Sequence, residues 1–398
     1  MKIALVSDSF EPMRDGVAQI TGGLARSLVR SGHDVRVLAP QAGQALPREV
    51  TDGVEVRRVR SVPVPLYGQY RWPVFPFGQA RALGRWADVI HAQTPGLLGT
   101  TAFLAARAYH RPLLGTFHTN LREMAGSVPN KLLVPLFFRI AWWYNLGTYL
   151  RCDLTTAPTA AARATLLAHT SKPFRREVLV VPNGVDVGRF RPGAAVPDWR
   201  TRCGLPDGPL VTFLGRLTVD KGVHRFLDAV EAAAERHALV ALVGGSGPEE
   251  PAVRARLAAS AVLSRRARYV GPVAEEEKSA LLGQTDLFVL PSTSDTSSVA
   301  LLEAMACGAA VLAPSIGGAA EVVRDGQTGR VVDPLSPGGF SDAIDELLAE
   351  PERRRALAAA GTRWVRESAS LDAMARRFIS LYSMLAQEKG RRGHRLGA

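Results

Sequence analysis

Cysteine is scarce: the 398 residues hold three, Cys152, Cys203 and Cys307, none in a CxxC spacing. That argues against a disulfide framework or a structural zinc site and fits a reducing compartment. Lysine is rare too, six against 43 arginines, so the net charge of +12 is mostly arginine charge. Long apolar runs are also missing. The most membrane-like stretch, 132–150, contains Pro135, Arg139 and Asn145, and reads as a buried or surface-lying helix rather than a bilayer span. In the opening MKIALVSDSF, Asp8 breaks an apolar run too short for a secretory signal. These absences predict a cytoplasmic protein.

What remains is ample for folding. With 46% hydrophobic residues and a mean hydropathy of +0.03, the chain can build two or three cores. Short apolar runs alternate with helical patterns from end to end, which predicts parallel sheets covered by helices on both faces. The opening reads as strand KIALVS, a loop, a helix closed by Gly32, and strand DVRVLAP. VEVRRV, ADVIHA, PLLGTF, DLTTA and VLVVP continue the first half. The segment 63–78, rich in proline and aromatics, reads as an irregular binding loop. After VPNGVD comes the breaker-rich FRPGAAVPDWRTRCGLPDGP, which reads as a linker. Alternation then restarts with PLVTFLGRL, ALVALVGG, ARYVG, DLFVLP, AAVLAP and GRVVD. The expected architecture is α/β, two doubly wound domains: 1–182 completed by a last helix from 371, and 183–370. Ligands in such sheets sit outside the strand carboxyl ends, here in a cleft between the halves.

Three patterns carry chemistry. In FLGRLTVDKG, Arg216 and Lys221 flank a turn after a strand that ends at Leu214, with Gly215 letting the backbone turn. A planar fork and a compact ammonium suit a diphosphate, although for the pair taken alone two solvated cations at a loop are the more ordinary reading. In SDTSSVALLEAMACG, Asp295, Thr296, Ser297 and Ser298 crowd a helix start, where unpaired N–H groups favour an anion or simply receive an N-cap. Glu303 lies on an otherwise apolar face and needs partners, either ligand hydroxyls or an arginine. The remaining positive charge clusters at Arg57, Arg58 and Arg60, at Arg353, Arg354 and Arg355, and in the tail at Lys389, Arg391, Arg392 and Arg395. Such clusters suit an anionic membrane, unless they are only composition.

GRLTVDKG followed by SDTSSVALLEAMACGAAV resembles the family-4 retaining glycosyltransferases of the GT-B fold, which carry an Arg-x4-Lys pair and an E-x7-E motif. VPNGVD, GGSGPEE, the first loop with Asp15 and Gly16, and HTN at 118–120 extend the resemblance over nearly the whole chain. It implies that Arg216 and Lys221 hold the diphosphate of a nucleotide-sugar donor and that Glu303 binds the ribose. The helix start at Thr296, Ser297 and Ser298 meets phosphate. Asp295, one methylene shorter than the family's usual glutamate, contacts the transferred sugar. His118 sits over that sugar, and Gly16 lets the first loop approach donor and acceptor. The resemblance further implies retention of configuration without a metal, and the sequence has no DxD triplet to set against that.

The function so implied is transfer of a hexosyl unit, from a GDP-mannose-like or UDP-glucose-like donor, to an acceptor hydroxyl. The basic clusters, the segment 63–78 and the apolar helix 131–150 favour a membrane lipid as acceptor, with the protein peripheral on the membrane. A small soluble acceptor is the rival. A sugar-nucleotide epimerase also suits two doubly wound domains. A non-catalytic polyanion binder has only net charge behind it, and no nucleic-acid-binding pattern is present.

Overall fold

Strands that are apolar on both faces belong in sheets covered on both sides, and β1 (Lys2–Val6) is such a strand, with Ile3, Ala4, Leu5 and Val6 all without exposed surface. The structure is a computed structural model that describes residues 1–13, 15–64, 67–74, 77–118, 134–193 and 198–395. The predicted positions 119–120 of HTN and 131–133 of the apolar helix lie outside the described residues, as do 65–66 and 75–76 and the side chains of Arg391, Arg392 and Arg395.

The chain divides into two units, Met1–Gly184 with Leu371–Ala398, and Val185–Ser370. The break falls two residues beyond the position read from sequence. In the first unit β1 is followed by β2 (Asp34–Pro40), β3 (Arg48–Thr51), β4 (Val54–Val59), β5 (Ser61–Val64), β6 (Tyr67–Pro73), β7 (Val89–Ala92), β8 (Leu113–Thr116), β9 (Leu154–Ala157) and β10 (Leu179–Val180). The main sheet runs β10-β9-β8-β7-β1-β2-β4-β3, parallel except for β3. Asp15 starts the helix Gly16–Arg30 by accepting from the Val17 and Ala18 amides. Gly32, at φ +81°, ends it in the left-handed conformation that glycine takes without a Cβ clash. The helix Leu371–Arg395 packs against Gly16–Arg30, and Asp372 accepts hydrogen bonds from Ser27 and Arg30.

In the second unit β11 (Leu210–Leu214), β12 (Val240–Gly244), β13 (Ala267–Gly271), β14 (Leu287–Val289), β15 (Ala310–Pro314) and β16 (Arg330–Val332) form one parallel sheet, ordered β13-β12-β11-β14-β15-β16. This is the doubly wound order, with its reversal between β11 and β14. The unit's two ends meet in a parallel bridge between Val185 and Ser370.

Two expectations need correction. The segment 63–78 is not irregular in its described part: β5 and β6 pair as an antiparallel hairpin, with Val62 opposite Trp72. Its prolines fit because a two-stranded ribbon leaves outward N–H positions that need no ladder bond. The passage read as a linker is anchored in the second unit, where Phe190 and Trp199 are buried in the core. Asp198 caps a short helix, Trp199–Cys203, that seats the indole.

Candidate functional site

In the second unit, the loop after β11 tightens into a 3-10 turn, Val219–Lys221, followed by Gly222 at φ +76°. A Cβ on Gly222 would lie 2.1 Å from the Pro291 carbonyl oxygen, so glycine lets this loop lie against the loop after β14. The Thr293 amide donates to the Asp220 carbonyl at 2.8 Å and fastens the two loops. Lys221 Nζ therefore reaches the Ser294 carbonyl at 3.1 Å and Asp295 Oδ2 at 3.2 Å. Two residues predicted 74 positions apart are thus joined at the topological switch point. Arg216 is exposed on the same loop.

Gly215 is not what lets the backbone turn. Its φ is unexceptional, and a Cβ there would meet only Phe213 ring atoms, at 3.8 Å. The demanding position is Gly245 in GGSGPEE, at φ +134°, where a Cβ would fall 1.8 Å from the Gly215 carbonyl oxygen.

Of the four residues expected at the helix start, Ser298 is the N-cap, accepting from the Leu301 amide at 3.4 Å. The helix Val299–Ala306 begins after it, with Asp295, Thr296 and Ser297 in the preceding loop. The Asp295 carbonyl accepts from the Gly318 amide at 2.7 Å, so the loop after β15 also fixes the Asp295 backbone. Glu303 is 3% exposed and its in-chain partner is Lys278 at 3.5 Å, a lysine where an arginine was expected. Burial pushes the Glu303 carboxyl up, and Lys278 pulls it only partway back. Burial acts downward on the Lys278 ammonium, but Glu303 and Glu275 more than reverse it. Both thus gain from the pairing in a place that punishes isolated charge.

In the first unit the sheet reverses between β1 and β7, and both following loops meet there. Thr94 Oγ1 donates to Asp8 Oδ2 at 2.6 Å, and the Leu98 amide donates to Asp8 Oδ1 at 3.2 Å. Burial raises the Asp8 carboxyl, with these bonds acting against it. Gly16 opens the first helix, and a Cβ on it would meet no atom within 4 Å. The described chain therefore does not itself demand glycine at 16.

His118 follows β8, and its Nε2–H donates to Gln93 Oε1 at 2.7 Å. Desolvation brings its imidazole down to about 4, so it is neutral at pH 7 and Nδ1 carries the lone pair. Beneath it, Gln93 Nε2 lies 3.0 and 3.2 Å from the two ring nitrogens of His91. An atom so nearly equidistant must sit over the ring face rather than on one lone pair. His91, fully buried, uses its ring edge instead, bonding Tyr382 Oη through Nδ1 and Thr116 Oγ1 through Nε2, each at 2.7 Å. Tyr382 comes from the helix Leu371–Arg395, so that helix helps hold the residues under His118.

Sequence reading missed Gln93, His91, Tyr382 and Lys278. A signal existed for the first two, since HAQT places polar groups at the end of an apolar strand. None existed for Tyr382 or Lys278, which sit in ordinary helical patterns.

Two of the charge clusters are largely paired within the fold, although Arg60 is exposed. Arg57 pairs with Glu55 at 2.8 Å and Arg58 with Glu49 at 2.5 Å. Arg353 pairs with Glu346 and Arg355 with Glu352, both at 2.7 Å, while Arg354 is buried against the Leu347 carbonyl. These partners weaken the case for a membrane patch there. Among the described residues, no helix is long and apolar enough to cross a membrane. The helix Val134–Tyr149 instead divides its tryptophans: Trp142 stacks on His169 at 3.8 Å, while Trp143 is 77% exposed beside an exposed Ile140.

Residues 14–189 match the family described as Glycosyltransferase Family 4, and residues 197–364 match Glycosyl transferases group 1. A GDP-mannose-dependent alpha-mannosyltransferase of Mycobacterium tuberculosis is 32% identical, over 89% of this chain and 89% of its own length. A D-inositol 3-phosphate glycosyltransferase of Xylanimonas cellulosilytica is 29% identical over 98% of both chains. Anabaena HepE, solved in complex with UDP, superposes with a TM-score of 0.75 at 19% identity, covering 96% of this chain and 100% of that one. The chain belongs to the family-4 glycosyltransferases, enzymes of the GT-B fold.

Proposed function

We propose that the protein is a retaining hexosyltransferase using a nucleotide-sugar donor, with GDP-mannose the first donor to test. The observation that carries this reading is the Lys221 ammonium fixed at the switch point beside Asp295, with Arg216 exposed on the same loop. In this reading Arg216 and Lys221 take the donor diphosphate and stabilise the charge that grows on the departing nucleotide. The pair supplies positive charge from the protein, which makes the reaction metal-independent. Asp295 divides its carboxylate between Lys221 and the sugar hydroxyls. Glu303 meets the ribose, and Thr296, Ser297 and Ser298 meet phosphate.

The bond between the anomeric carbon and the diphosphate oxygen breaks while the bond to the acceptor oxygen forms on the same face. The acceptor proton passes to the leaving phosphate oxygen, so no protein base is consumed. His118 acts as a neutral hydrogen-bond acceptor: its Nε2–H is committed to Gln93, and Nδ1 is left for a hydroxyl of the sugar. Gly16 keeps the first loop free of a side chain where donor and acceptor approach.

The α-mannosyltransferase relative supports GDP-mannose, and the exposed Trp143 and Ile140 support a lipid acceptor with the protein resting on a membrane. The inositol 3-phosphate glycosyltransferase relative supports the second reading, a small soluble acceptor. Incubation with GDP-mannose, and separately with UDP-glucose, in the presence of a lipid extract or of inositol 3-phosphate, tests both. Sugar appearing on an acceptor with equimolar nucleotide release is the predicted result. Conversion of the donor to an epimer, with no nucleotide released, contradicts it.

A further inference from the structure

A cavity of about 210 Å³ opens in the first unit at the amino-terminal edge of the sheet. Leu113, the first residue of β8, and Asp153, just before β9, lie in its wall. His118 follows the other end of β8, so a strand of four residues, ~13 Å, lies between them. Five cations line the cavity, Arg107, Arg111, Arg151, Arg175 and Lys389, against the one carboxylate of Asp153.

That carboxylate is already engaged. Arg175 meets Oδ1 at 3.1 Å, while Lys389 at 3.1 Å and the Leu113 amide at 2.9 Å take Oδ2. Among the described residues no carboxylate pairs with Arg107, Arg111 or Arg151. Backbone carbonyls aim two of these side chains: Arg111 Nε donates to Gly84 at 3.2 Å and Arg151 Nη1 to Gly147 at 2.7 Å. Lys389 is tied to the Arg111 carbonyl at 2.9 Å, so the last helix forms part of the wall. Positive charge gathered in a concavity focuses the field and concentrates anions.

A second feature points the same way. His110, also in the lining, closes the helix Leu97–Ala108 at φ +52°. Glycine takes that conformation without a Cβ penalty and is the usual residue there. Here the chain puts a potential hydrogen-bond donor into the cavity instead.

We propose that this cavity binds a small phosphorylated anion, a diphosphate or phosphate monoester, gripped by Arg107, Arg111 and Arg151. Arginine forks suit phosphate oxygens. The volume falls below the ~300 Å³ at which pockets for drug-sized ligands begin, which favours a phosphate group over a whole nucleotide sugar. The phosphate could be that of a free metabolite or of a lipid headgroup, and the two sources separate experimentally.

The test uses the full chain carrying Arg216→Ala and Lys221→Ala, so that the proposed donor site does not respond, with pyrophosphate as the calorimetric probe. Adding Arg107→Ala and Arg151→Ala, both exposed positions, should weaken pyrophosphate binding at least tenfold at matched ionic strength, with the melting temperature in plain buffer showing that the fold persists. In a parallel arm, sedimentation with vesicles containing phosphatidic acid, a phosphate monoester, is compared with phosphatidylcholine vesicles. Vesicle binding that depends on Arg107 and Arg151, without pyrophosphate binding, assigns the phosphate to a lipid. Binding of neither probe, or equal binding after the added substitutions, overturns the proposal. Nucleotide binding by the unsubstituted chain is a separate readout and bears only on the proposed function.

Discussion

His118 shows how much one residue's environment decides. An exposed imidazole is partly charged near neutrality, but desolvation keeps this one neutral down to about 4, and burial lowers His91 beneath it as well. As pH falls from about 6.5 toward 4, the unfolded chain takes up protons at these positions and the folded chain does not. Stability should therefore be full above 6.5 and decline through that window. Glu303 contributes with the opposite sign, since its raised pKa favours the folded state at low pH, so the histidine effect is best read as a difference. Urea unfolding at pH 4.5, 5.5 and 7 should give a shallower pH slope for His118→Gln than for the unsubstituted chain. Equal slopes would show that the imidazole is not held neutral by its surroundings.

At the scale of elements, the strands were readable because each is a short apolar run bounded by breakers, and β11 to β16 fall where the runs lie. The hairpin β5–β6 was not readable, because proline and aromatic content masks a ribbon whose ladder needs only some of its N–H groups. Trp199 was hidden for a related reason: a breaker-rich passage looks like a linker whether or not it carries an anchor. The loop contacts were legible only as motif spacing. Nothing in DKG says that Gly222 must meet Pro291, and that contact is what carries Lys221 to Asp295. Gly222→Ala forces a Cβ against a backbone carbonyl at a positive φ, which should cost on the order of 2 kcal/mol. It should also shift the Lys221 loop, so nucleotide affinity should fall along with the denaturation midpoint. An unchanged midpoint would mean that the two loops are not packed as described.

Across the whole molecule, the charge excess has resolved into distinct parts. The runs most visible in the sequence, at Arg57 and at Arg353, are largely paired with glutamates close by in sequence. The concentration at Arg107, Arg111 and Arg151, none of which pairs with a carboxylate among the described residues, draws on two stretches about 40 residues apart that the fold brings together. The residues proposed for the donor site could be singled out because they stand in motifs whose offsets carry the family resemblance. The network under His118 was not, because it joins a strand end to a helix some 290 residues away. The central claim is that Arg216 and Lys221 bind the donor diphosphate. It is tested most directly by titrating GDP, UDP and ADP into the chain, and the preferred nucleotide into the Arg216→Ala/Lys221→Ala variant. The account predicts selective binding of one nucleotide, weakened at least tenfold in a variant that still melts cooperatively. Undiminished binding by that variant, or no binding of any nucleotide by the unsubstituted chain, would contradict it.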